Sequence, residues 1–210
     1  MSVQSLNRWG GAFILVVAAI TLVGGLIRFA ALEMNAGNLV LGQALYTGAS
    51  LVGGFAFVAL YAPRATRMGK LGFAGFIFSF LGVSLNITPA FLWLASVTGQ
   101  EWGHAALMYA WGTVPLLVVG TFSSIIGHIL FGIAAARSGA YPRWAAYALI
   151  ASAVVDLPVE LPMFGAMFTS IWPLSLVLYV VALAWMGYTV VRSGVRSPAN
   201  SVASTGAALA

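Results

Sequence analysis

The sequence predicts an all-α protein, a polytopic bundle of six membrane-spanning helices with both termini on the same side. Three observations carry this expectation. Of the 210 residues, 61% are hydrophobic and only 6% are charged, against about 25% charged in soluble domains. Six apolar stretches each reach about 20 residues or more, the length needed to cross ~30 Å of hydrocarbon. The basic residues then separate by side. Arg8, Arg64, Arg67, Lys70, Arg137, Arg143, Arg192 and Arg196 fall on one face of the six-span arrangement, and only Arg28 falls near the other. That bias marks the basic face, and with it both termini, as cytoplasmic.

The spans are expected at Gly10–Phe29, Asn38–Ala62, Leu71–Val97, Ala105–Ala136, Trp144–Phe164 and Thr169–Val191. Arg8 precedes the first, which is longer than the apolar core of a signal peptide and lacks a small-residue cleavage site. The second carries small residues four apart, at Ala44 and Gly48, Ala49 and Gly53, and Ser50 and Gly54. In lipid, such pairs let helix backbones approach closely. The fourth is too long for a simple crossing, and Pro115 divides it or the helix tilts. It closes on Gly132 to Gly139 with Arg137 in the last turn and glycine after it, as suits a helix C-terminus. Gly187 to Gly194 has the same form, with Arg192 in the place of Arg137. Tyr141-Pro142-Arg143-Trp144 opens the fifth span with aromatic residues at interface level. Residues 1–192 thus form one domain, and 193–210 read as a disordered Ser/Ala/Gly tail on the cytoplasmic side.

Several chemistries are excluded. There are no cysteines, so thiolate metal sites, disulfides and thiol catalysis are ruled out. The pI near 10.0 comes from basic residues scattered singly over short loops, which form no nucleic-acid patch. Lys70, the only lysine, lies in a loop and cannot hold retinal within the bundle. His104 and His128 are 24 residues apart on one segment, ~36 Å if helical, so they share neither a haem nor a zinc ion. No Walker A, GxGxxG, Gly-x-Ser-x-Gly or His-Glu-x-x-His motif occurs. No Asp-rich motif for Mg²⁺–diphosphate occurs either. No cofactor and no metal site is expected. Asn86-Ile87-Thr88 has the form of a glycosylation sequon but lies within a span and precedes Pro89.

The acidic residues point to a site. Only four exist, and Asp156 and Glu160 stand one turn apart on one face of the fifth span, with Pro158 between them and Pro162 just beyond Glu160. Asp156 lies about 12 residues, ~18 Å, from the inner start of that helix. Charge at that depth is costly and tends to be paired or functional. Each proline also frees a backbone carbonyl one turn earlier. Arg28 is at a compatible depth, so an ion pair with Asp156 or Glu160 is expected. Gln43, Tyr46 and Thr47 on the second span, Asn86 and Thr88 on the third, His104, Tyr109 and Thr113 on the fourth, and Thr169 and Ser170 on the sixth occupy the same outer half. Together they suggest a polar pocket opening outward. Its expected ligand- or proton-binding residues are Asp156, Glu160, Arg28, Asn86 and His104. His128 is expected in a hydrogen bond to a neighbouring helix.

The stretch Gly127 to Tyr147, including Ala-Arg-Ser-Gly-Ala-Tyr-Pro-Arg-Trp, and the closing Ala184-Trp185-Met186-Gly187-Tyr188 resemble elements of uncharacterised bacterial polytopic membrane proteins. The resemblance covers the second half of the chain. It implies the same six-span architecture in a bacterial inner membrane and no catalytic residues. Three functions fit these observations. The first is small-molecule or ion binding, of a transport type, acting within the lipid bilayer and by itself or as a homo-oligomer. The second is an accessory subunit of a larger membrane complex. The third is a metal-independent intramembrane enzyme acting on a lipid or isoprenoid, with Asp156 and Glu160 as acid and base. The non-enzymatic readings take precedence.

Overall fold

A computed structural model describes residues 3–34, 36–98, 113–160 and 171–195. Among these residues the regular structure is all helical, with no strand. Helix α1 spans Val3–Met34 and α2 Ala36–Tyr61. A 3-10 turn at Ala62–Arg64 leads into α3, Ala65–Leu85. Then follow α4 (Ile87–Val97), α5 (Thr113–Ser138), α6 (Arg143–Glu160) and α7 (Trp172–Val195).

Among the described residues, four stretches are long and apolar enough to cross a membrane: Asn7–Ala30, Leu39–Leu92, Val114–Ser138 and Trp172–Ser193. The second is 54 residues long and contains α2, α3 and the start of α4. Helix α6 carries Asp156 and Glu160 within its 18 residues, whereas those four stretches contain no acidic residue.

The long helices pack in a closed circuit. Each contacts its neighbour in sequence, α1 on α2, α2 on α3, α3 on α5, α5 on α6, α6 on α7, and α7 returns to α1. Short α4 packs chiefly on α2. The neighbours run antiparallel. Gly11 of α1 faces Gly187 and Val191 of α7, whereas Gly25 faces Leu176; Gly10 lies against Ala59 of α2, whereas Gly42 of α2 lies against Arg28. All the basic residues of the described termini and turns other than Arg28 therefore gather at one end of the bundle.

That basic end is solid. Ile14, Phe57, Leu60, Phe131, Leu149, Leu183, Met186 and Val190 are fully or almost fully buried there in one cluster. Tyr141, in the α5–α6 connection, donates a hydrogen bond to the Leu60 carbonyl at 2.6 Å and lies under the Arg64 guanidinium. Burial pushes its hydroxyl up from the usual tyrosine range, against the smaller opposing influence of Arg64, so it stays a neutral donor. Around this end Trp144, Trp185 and Tyr188 stack edge to edge, with Arg192 over Tyr188. Exposed aromatic rings at such a level fit a membrane–water interface.

The polarity is inverted relative to a soluble protein. Val16, Phe55, Phe73, Val119, Val154 and Leu174 are each more than half exposed. Thr21, Gln43, Thr47, Ser79, Thr121, Ser152 and Ser175 are buried. A continuous apolar exterior of this kind suits lipid and not water.

The backbone departs from expectation at three places. The third span, expected unbroken over Leu71–Val97, turns at Asn86, which closes α3 by hydrogen-bonding back to Gly82 and Ser84. Pro89 cannot donate to a continuous helix, so α4 begins as a new helix just before it. Pro115 falls in the first turn of α5, where a proline is tolerated, and so it does not divide a longer helix within the described residues. Gly139, at φ 62°, ends α5 as the sequence suggests, whereas α7 runs through the corresponding Gly194 to Val195. Gly69, at φ 60° and ψ −158°, makes a kink inside α3, near its start, that only glycine adopts readily.

Candidate functional site

Between the solid basic end and the opposite end, the circuit of helices encloses a cavity of about 530 Å³. That is within the range of small-molecule sites. All seven helices supply its walls, in polar series spaced one helical turn apart. On α2 these are Gln43, Tyr46 and Ser50; on α5, Thr121, Ser124 and His128; on α7, Trp172, Ser175 and Tyr179. Helix α1 adds Thr21 and Arg28, and α6 adds Ser152 and Asp156. Asn86 enters from the α3–α4 turn, and Pro89 and Ala90 from α4. From Tyr179 up to Trp172 the wall of α7 rises about 10 Å.

The α3–α5 seam holds the circuit together beside this cavity. Gly75, Ser79 and Gly82 on α3 meet Phe131, Gly127 and Ser124 on α5. A Cβ on Gly75, Gly82 or Gly127 would strike a backbone nitrogen of the facing helix. Gly120 lies against the Asn86 side chain, so the same close approach locates the amide at the cavity wall.

Three of the five residues expected at the site, Arg28, Asn86 and Asp156, share this one cavity. His104 and the Glu160 side chain lie outside the described residues; the backbone of Glu160 is the last residue of α6. Tyr109, Thr169 and Ser170 also lie outside them. The expected Arg28–Asp156 ion pair is not formed. Asp156 instead accepts a hydrogen bond at 3.2 Å from Ser175, whose hydroxyl also reaches the Ser152 carbonyl at 3.1 Å. The guanidinium of Arg28 lies 5.6 Å from the Tyr46 ring and 5.3 Å from the Trp172 ring, and those rings meet edge to face. Aromatic faces stabilise a cation by roughly 0.5–2 kcal/mol, more when water is excluded.

Gln43 is 2% exposed. Its amide nitrogen reaches Thr47 Oγ1 at 3.2 Å and the Ala90 carbonyl at 3.5 Å, and Thr47 also donates to Ala90 at 3.4 Å. These bonds tie α4 to α2 and fix which amide atom is oxygen. The expected hydrogen bond from His128 to a neighbouring helix is replaced by ring contacts. Its imidazole stacks on Phe57 and tilts against Tyr179, each with centroids 5.2 Å apart. Gln43 Oε1, Asn86 Oδ1 and His128 Nε2 are buried without a hydrogen-bond partner among the described residues. Each such atom costs about 1–3 kcal/mol, and all three belong to side chains of this wall.

Sequence reasoning left His128 out of the expected pocket and passed over Thr21, Thr121, Ser124, Ser152, Trp172, Ser175 and Tyr179. The signal was the turn-by-turn spacing of polar residues on otherwise apolar helices. Among the described residues no group of three or more histidine or acidic side chains is placed to hold a metal ion. No family model matches the chain, and no curated protein or solved structure is similar to it.

Proposed function

We propose that the chain is a six-span membrane protein, with both termini on the cytoplasmic side, that binds a small polar molecule in its central cavity as a binding or transport-type protein. The observation that carries this reading is the wall itself. An arginine and a carboxylate occupy one cavity inside an apolar bundle without neutralising each other. Charge left unpaired among the described residues in such a setting is costly and marks function. His104 and Glu160 complete the proposed site, Glu160 one turn beyond Asp156 on α6. The solid basic end closes the cavity toward that side, a closure that one state of an alternating-access protein also has.

The orientation has its own test. In a single-cysteine variant at Lys70, an impermeant thiol reagent added to intact cells should give no labelling, and permeabilised cells should label fully. Labelling of intact cells would reverse the topology. The site is tested by ligand retention in Asp156→Asn and Glu160→Gln. At least one is expected to lose about tenfold or more in affinity, the scale of removing one buried charge contact. Wild-type retention in both, with both folded, would remove these carboxylates from the site.

A further inference from the structure

Resting on that reading of the cavity, we infer that its occupant carries a zwitterionic group, with the anionic end at Arg28 and the cationic end at Asp156. Both side chains line the cavity, and each is held by its own neighbours and away from the other. Arg28 is braced over Tyr46 and Trp172, and Asp156 is fixed by Ser175. Trp172 and Ser175 stand three residues apart on α7, about 4.5 Å along its axis. The two braces are therefore offset by about one turn along the bundle axis, with Arg28 nearer the end of the bundle opposite the basic core.

Opposite charges in a low-dielectric space attract strongly, and a burial that leaves them unpaired is costly. A ligand with a single charge would neutralise one of them and strand the other. A neutral ligand would strand both. A dipolar group of matching length compensates both at once and brings no net charge into the bundle. The apolar part of the wall, Val17, Ala49, Val83 and Leu176, would take the methylenes joining the two charged ends. A free amino-acid-like zwitterion has this chemistry, and so does the headgroup of a zwitterionic phospholipid.

The test uses the full-length protein in nanodiscs and reads calorimetric affinity. The probes are γ-aminobutyrate, its single-charge counterparts butyrate and butylamine, the shorter zwitterion glycine, and glycerophosphoethanolamine. A longer zwitterion, γ-aminobutyrate or glycerophosphoethanolamine, should bind about tenfold or more tightly than butyrate, butylamine or glycine. Arg28→Gln should reduce that zwitterion to the level of butylamine, and Asp156→Asn to the level of butyrate. Preference for γ-aminobutyrate identifies a free solute. Preference for glycerophosphoethanolamine, with greater thermal stability in phosphatidylethanolamine than in phosphatidylglycerol discs, identifies a headgroup. If butyrate or butylamine binds as tightly as either zwitterion, the inference is overturned while the cavity remains a ligand site. If no probe binds, the inference is overturned, and the reading of the cavity then stands or falls by labelling of cysteines placed in its wall.

Discussion

Gly127→Val is expected to prevent the bundle from assembling. Gly127 is buried against the backbone nitrogen and hydroxyl of Ser79, and a single Cβ there already collides with main chain. Backbone cannot rotate away as a side-chain tip can, so α3 and α5 must separate along the seam from Gly75–Phe131 to Gly82–Ser124. Overpacking a tight site typically costs 1–3 kcal/mol, and a branched side chain against backbone should cost ~3 kcal/mol or more. Gly82→Val should behave alike, because its Cβ would meet the nitrogen of Ser124. Gly48→Ala is the contrasting case. Nothing lies within 4 Å of a Cβ at that position, and replacing a helix-interior glycine by alanine typically gains 0.5–1 kcal/mol. Thermal unfolding of the detergent-solubilised variants, followed by size-exclusion chromatography, checks the order. A Gly127→Val protein that elutes and melts like wild type would contradict the seam.

Thr121→Trp should abolish ligand binding while leaving the fold intact. Thr121 is 8% exposed and faces the cavity from α5. Because Thr121 lines the cavity, an indole added there is expected to occupy cavity volume. Filling a cavity forfeits no packing and replaces lost dispersion contacts. The unfolding midpoint should stay within a few degrees of wild type or rise, and stabilisation by added ligand should vanish. This pattern separates occlusion from misfolding, because a misfolded variant would lose both. Retained ligand stabilisation in a folded Thr121→Trp protein would place binding elsewhere.

The helical class and some helix ends were legible because length, apolarity and basic turns act locally. Arg137 with Gly139 ends α5 as its sequence suggests, and the Pro142–Arg143 turn opens α6. The α3–α4 break was harder to read. The Asn86-Ile87-Thr88-Pro89 segment is apolar enough to pass as continuous span, and only the missing proline donor marks it. The closest helix contacts were sought in the small residues of α2. They lie instead at Gly75, Ser79 and Gly82 against Ser124 and Gly127, because small-residue spacing occurs on many faces and only the packing order selects one. Arg28, Asn86 and Asp156 were found by the cost of burying polarity. Their pairing was not, since hydrogen-bond partners such as Ser175 and aromatic partners such as Trp172 depend on which helix becomes α6's and α1's neighbour. The closed circuit decides that, and it is a global property.

We propose that the cavity is polar, accessible and a place where ligand sits. Because the chain has no native cysteine, one measurement tests it directly. Cysteines placed singly at Ser50 and at Thr121, both on the cavity wall, are compared with one at Val154, which is 54% exposed on the apolar exterior. An impermeant, charged thiol reagent added from the side opposite the basic end should modify Ser50→Cys and Thr121→Cys and spare Val154→Cys in lipid. Saturating ligand should slow the first two. Equal inertness of all three positions to the reagent would contradict the claim and leave Arg28 and Asp156 as parts of a closed scaffold.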